Sequence, residues 1–165
     1  MMAFDDQPRP NLAAPRIVVS KVARKLQVFD GNLLIKTYRI SLGSTPVGNK
    51  SKEGDGCTPE GEFYIFAKNP ESKYHLSLAI SYPGIDAATR GLKDGLISEE
   101  EHNAIVDAIN MGKMPQQKTR LGGEIYLHGG GADTDWTRGC IAMADRDIQE
   151  VFDAIPVGTM VRIEP

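Results

Sequence analysis

A chain of 165 residues, 41% hydrophobic and 25% charged, has room for one domain with a single core and is not composed like a disordered protein. Its 19 basic and 22 acidic side chains leave a formal charge of −3 and form no Lys/Arg run, which excludes the basic face of a duplex-binding protein, so no nucleic acid partner is expected. No stretch approaches the roughly 20 apolar residues of a membrane span.

Residues 1–15, MMAFDDQPRPNLAAP, read as a flexible arm ahead of a single domain over 16–165. Asp5 and Asp6 stand where a secretory leader would be basic, and Pro8 and Pro10 interrupt any apolar run. A cytoplasmic protein is therefore expected, a periplasmic one being the alternative if a leader has been removed.

Arg16 to Asp30 is rich in Val, Ile and Leu, and Asp30-Gly31 is a hairpin signal. Asn32 to Leu42 continues as a strand with Tyr38, Ile40 and Leu42 on one face. Gly43 to Gly61, with five glycines and two prolines, is a loop, and no Gly-Lys-[Ser/Thr] marks it as a phosphate cradle. Glu62 to Ala67 and Leu76 to Ser81 are two further strands.

Ser98 to Met111 predicts a helix: Ser98 with Glu101 makes a capping box, Ile105, Ala108 and Ile109 share a face, and Gly112 stops it. Glu124 to His128 is a short strand. Asp145 is expected to cap a second helix through Ile148, Val151, Phe152 and Ile155, ended by Pro156, and Thr159 to Glu164 closes as a strand. The sum is a mainly β domain with two helices inserted between strands.

Two segments concentrate chemistry. Ile125-Tyr126-Leu127-His128-Gly129 is a strand that delivers a histidine to a glycine-rich loop. Asp135-Trp136-Thr137-Arg138-Gly139-Cys140 presents a thiol. Cysteine attacks carbonyls as the thiolate and needs a base or a cation beside it. Gly129, Gly130 and Gly131 let the chain reverse so that His128 and Cys140 can meet. Gly139 would let backbone N–H groups approach a reacting carbonyl, as an oxyanion hole requires. Spacing alone leaves open the readings of a buried structural Cys and a structural His.

Cys57 lies in a loop with no histidine in a matching motif. A Cys57–Cys140 disulfide would silence the nucleophile, which favours a reducing compartment. Two Cys and three His lack metal-ligand spacing, so neither metal nor cofactor is expected. Trp136 either forms a cleft wall or packs in the core, and its place beside Cys140 favours the wall. Tyr82 carries the same ambiguity. His75 either lines the cleft or caps a strand.

The block Thr137-Arg138-Gly139-Cys140 with His128-Gly129 upstream resembles the signature of the YkuD-type L,D-transpeptidase family, a histidine followed by [Ser/Thr]-x-Gly-Cys. Thr58-Pro59-Glu60-Gly61-Glu62-Phe63 is similar to the family's TP-x-G-x-F loop. Tyr74-His75-Leu76-Ser77-Leu78 and Ser81-Tyr82-Pro83 are similar to segments of one branch. The likeness spans about residues 16 to 164.

It implies a β-sandwich or barrel-like fold and a Cys140–His128 dyad oriented by the backbone carbonyl of Gly129. The substrates it implies are peptidoglycan stem peptides, cut between the L-centre of a diaminopimelate or lysine residue and D-Ala. Arg138 replaces the histidine that many members carry before Gly-Cys, and Ala142 replaces their Arg or Asn. A cation at Arg138 would lower the Cys140 pKa and hold the D-Ala carboxylate, unless it simply faces solvent. Thr137, Trp136, Tyr82 and His75 complete the expected substrate contacts. The expected activity is an L,D-carboxypeptidase trimming muropeptides in recycling. The alternatives are cross-linking by a transpeptidase and a non-catalytic muropeptide-binding module. The resemblance also makes a covalent carbapenem adduct on Cys140 an expectation.

Overall fold

The structure, a computed structural model, describes residues 11–165. The expected arm lies outside the described residues up to residue 10. Its remainder is tied down: Leu12 packs on the core, and Ala14 N–H donates to Asp30 Oδ1 at 2.7 Å.

The apolar stretch from Arg16 to Asp30 is two strands, β1 (Pro15–Ser20) and β2 (Lys25–Asp30), because the chain reverses at Lys21–Arg24 and Arg24 takes a φ of 52°. β3 (Leu33–Arg39) follows a hairpin whose two turn residues are Gly31 and Asn32, Asp30 still pairing with Leu33. Then come β4 (Gly61–Ser72) and β5 (His75–Ile80), α1 (Ile85–Lys93) and α2 (Glu99–Asn110). The chain ends through β6 (Tyr126–His128), β7 (Ile141–Ala142), α3 (Asp145–Ala154) and β8 (Met160–Glu164).

The strands form one sheet in the order β3-β2-β1-β8-β4-β5-β6-β7, parallel at β1·β8 and β6·β7. Bulges after Ile65 and Asn69 bend the long β4 so that it serves both halves of the sheet. Just past β3, Ser41 exchanges two backbone hydrogen bonds with Ala142 of β7, at 2.9 and 3.0 Å, joining the two ends of the strand order. The sheet is thus curled and nearly closed, which protects its edges. Alternating residues (Ile17, Val19, Leu26, Val28, Val161, Ile163) point into one core cluster that also takes in Ile148 and Val151 of α3 and Ile155 just after it. Among the described residues no helix is long and apolar enough to cross a membrane.

The expected fold class holds with three helices, not two. The capping box of Ser98 and Glu101 forms as expected. α1 was hidden because its buried face is Ala87, Ala88 and Gly91, too small to give apolar periodicity. A Cβ on Gly91 would lie 2.5 Å from Leu121 Cδ2, so a larger residue there would push the Leu121 side chain aside. Asp145 does not cap α3; its Oδ1 instead accepts from Gly130 N–H at 2.9 Å.

The loop 43–61 is held from beneath by Lys21. That side chain is 2% exposed and donates to Gly48 O, Thr58 O and Glu60 Oε2 at 2.8, 2.7 and 3.0 Å. Lys21→Met keeps the stem but strands two carbonyls and a carboxylate, so it is expected to cost about 3 kcal/mol. Urea unfolding measures this, and a loss below about 1 kcal/mol would contradict the assigned role.

Candidate active site

β6 ends on His128, whose ring is 3% exposed. Its Nδ1 meets Gly129 O at 2.6 Å. A carbonyl only accepts, so Nδ1 carries the proton and Nε2 is left as the base. This is the orienting role the sequence resemblance implied for the Gly129 carbonyl. Gly129 is itself hemmed in: a Cβ would lie 2.5 Å from Asp145 Oδ1 and 2.8 Å from Tyr74 O. Its N–H donates to Tyr74 O at 2.9 Å, and Gly131 N–H donates to Met143 O at 2.9 Å. The glycine loop therefore has a fixed course, fastened by β5's entry, β7's exit and α3.

β7 runs parallel to β6 with Leu127 beside Ile141 and His128 beside Ala142. Extended back one residue, the register sets Cys140 beside Tyr126. Period-two alternation then turns the Cys140 and His128 side chains to the same face of neighbouring strands. Tyr126 N–H donates to Cys140 Sγ, and Sγ donates to Glu124 O, both at 3.4 Å. Glu124 holds a φ of 56°, and its N–H is taken by Gln117 Oε1 at 2.7 Å. A left-handed glutamate is costly, and here that conformation accompanies a carbonyl bonded to the thiol.

Burial pushes the Cys140 thiol up to about 11, and the Glu124 carboxylate adds to this; the Tyr126 N–H and the Lys50 charge pull the other way. Burial also lowers His128, partly offset by the Gly129 carbonyl. At neutral pH both groups are therefore uncharged, Cys140 as the thiol and His128 as the imidazole. The expected cation at Arg138 does not supply the activation: Arg138 is exposed, and the cation whose field reaches Cys140 is Lys50. Lys50 is buried at 2% exposure and donates to Asp55 Oδ1 at 2.9 Å.

Thr137 does not face a substrate. It is buried, its hydroxyl donating to Cys140 O at 2.8 Å and accepting from Gly139 N–H at 3.1 Å. Gly139 consequently is no oxyanion donor. It is needed for another reason: its φ is 138°, and a Cβ would sit 2.8 Å from Cys57 O. Tyr82 is a core residue, 1% exposed, with its hydroxyl donating to Leu121 O at 2.8 Å. Phe63 packs edge-on against it.

His75 is exposed with φ 73°. The neighbour, Tyr74, is the residue that reaches the site, stacked on the His128 ring at 4.8 Å and 24°. Trp136 stands edge-on to both rings, at 5.6 Å from His128 and 5.2 Å from Tyr74, and remains 37% exposed. Its Nε1 donates to Gly131 O, and the preceding Asp135 takes a two-pronged contact from Arg24 and the N–H of Leu42.

Cys57 is a free, buried thiol, raised by burial first and by the Asp55 charge second. Among the described residues no group of three His, Cys, Asp or Glu could hold a metal ion. Sequence reasoning missed Tyr74, Lys50 and Glu124. Only Tyr74 had a signal, as a member of the Tyr74-His75 segment.

A family model described as the L,D-transpeptidase catalytic domain (YkuD) matches residues 14–163. A putative L,D-transpeptidase YkuD of Bacillus licheniformis is 26% identical over 161 residues, covering 94% of this chain and 69% of that protein. In three dimensions the chain is similar to the helical cell shape determining protein Pgp2 (K307A mutant) of Campylobacter jejuni, with TM-score 0.64, 23% identity and 92% of this chain covered. It is also similar to the L,D-transpeptidase LdtMt1 in complex with imipenem, with TM-score 0.51 and 18% identity over 92% of this chain. The chain spans 47% and 59% of those two solved chains. A match over nearly its whole length places this chain in the YkuD family of L,D-transpeptidase catalytic domains.

Proposed function

We propose that this domain is a cysteine acyl-transfer enzyme of peptidoglycan stem peptides, acting as an L,D-carboxypeptidase that removes terminal D-Ala from tetrapeptide muropeptides. The observation that carries the reading is the His128 Nδ1 contact with Gly129 O, which leaves Nε2 as the base on the face shared with Cys140. Nε2 takes the thiol proton and the thiolate attacks the carbonyl preceding D-Ala. The Tyr126 N–H, which already donates to Sγ, steadies the thiolate as its charge develops. His128 returns the proton to the departing D-Ala amine, and a thioester remains on Cys140. Water, deprotonated by His128, then releases the tripeptide.

The two free thiols, Cys57 and Cys140, suit a reducing compartment, and we place the enzyme in the cytoplasm on free muropeptides. Fractionation of the host that finds the native protein in the periplasm would overturn that placement. The strained carbonyl of a carbapenem is a target for the same thiolate, and the complex of LdtMt1 with imipenem supports extending the reading to it.

Incubation with a disaccharide-tetrapeptide is expected to release one D-Ala without dimers, and Cys140→Ala is expected to abolish release. Cross-linked dimers read by mass spectrometry would establish a transpeptidase instead. Neither product would leave a binding module. The pH profile has a defined sign. The active imidazole is neutral and burial lowers its pKa, so protonation occurs only below the ordinary 6.5. The acid limb of kcat/KM is expected to fall through a midpoint under 6.5, and a midpoint above it would contradict the neutral buried base.

A further inference from the structure

The chemistry above makes no use of Tyr74, yet among the described residues no aromatic ring lies closer to His128. Tyr74 is in the two-residue turn between β4 and β5, where Ser72 pairs with His75. The turn is held by Ser72 Oγ, which donates to His75 O at 2.9 Å and accepts from Tyr74 N–H at 3.3 Å. Its main chain is anchored on the site by Gly129 N–H, and its ring lies over the imidazole at 24°. Trp136 closes the other approach, edge-on to both.

We propose, resting on the dyad reading above, that Tyr74 is a positioning residue for His128: its stacked face keeps Nδ1 on Gly129 O and stabilises the imidazolium formed when Cys140 loses its proton. A buried imidazole resists charge because water is absent. The dyad therefore needs a non-aqueous partner for that cation, and an aromatic face within about 6 Å is one. The other charged or titratable groups around the ring are already placed. Cys140 is the proton donor, Asp145 from α3 is engaged by Gly130 N–H, and Lys73 lies 5.4 Å from the centre of the Tyr74 ring. The Tyr74 hydroxyl has no part in the proposal, so phenylalanine must suffice.

The test compares wild type with Tyr74→Phe, Tyr74→Leu and Tyr74→Met. Leu and Met keep an apolar cover over the imidazole and lack a π face. The readouts are the NMR titration of the His128 ring and the rate of Cys140 alkylation by iodoacetamide, resolved from Cys57 by peptide mass spectrometry. Tyr74→Phe is expected to stay within about twofold of wild type. Leu and Met are expected to slow alkylation at neutral pH about five- to tenfold and to lower the His128 midpoint. Wild-type rates and midpoints in Leu and Met, or a Phe variant as impaired as Leu, would overturn the proposal. Alkylation needs no muropeptide, so this result stands apart from whether the protein cleaves one.

Discussion

Three backbone segments meet beneath the nucleophile at a distance that leaves no room for a side chain. A Cβ on Gly43 would overlap Gly56 O and lie 3.0 Å from Gly139 N, and one on Gly139 would press on Cys57 O. Backbones this close fix the loop 43–61 against the loop that carries Cys140. Ser44 N–H to Thr137 O and Thr45 N–H to Gly56 O, at 2.9 and 3.0 Å, lock the register. The rest of the design keeps that contact in place. Lys21 and Lys50, both buried, hold the long loop by its carbonyls and by Asp55, so its polar groups are satisfied without regular structure.

The same burial sets the electrostatics. A thiol pushed up to about 11 is inert by itself at neutral pH, which protects a free cysteine from casual oxidation. In the proposed mechanism it becomes a nucleophile only when a carbonyl arrives and His128 accepts the proton. The site carries no ready-made thiolate; it has a correctly turned imidazole and a thiol with an N–H from Tyr126 waiting for the charge. Preorganisation of this kind puts the stabilisation where charge develops and not in the resting state.

The sequence was legible where chemistry is written in short patterns. The Ser98–Glu101 capping box and the His128-Gly129 pair each name a local geometry that the fold then realises. Residues whose role depends on what lies across the sheet were not legible. Thr137 and Tyr82 sit in motifs that pointed toward the substrate, yet both spend their hydroxyls on the protein's own carbonyls. Asp145 has the look of a helix cap and is spent on a loop before the helix. Lys50 lies far from Cys140 in sequence, and only tertiary folding lets its charge act there. For Tyr82, Asp145 and Lys50 a partner distant in sequence decided between uses that the local sequence left equally available; for Thr137 it was the turn into Cys140 itself.

The central claim is that Cys140 carries the acyl group while His128 moves the proton. Intact-protein mass spectrometry on samples quenched in acid within milliseconds of mixing with tetrapeptide muropeptide reads this directly. The account predicts a transient adduct of the substrate minus D-Ala, mapped to Cys140, that fails to form in His128→Gln. D-Ala release with no adduct, or an adduct mapped to Cys57, would contradict it.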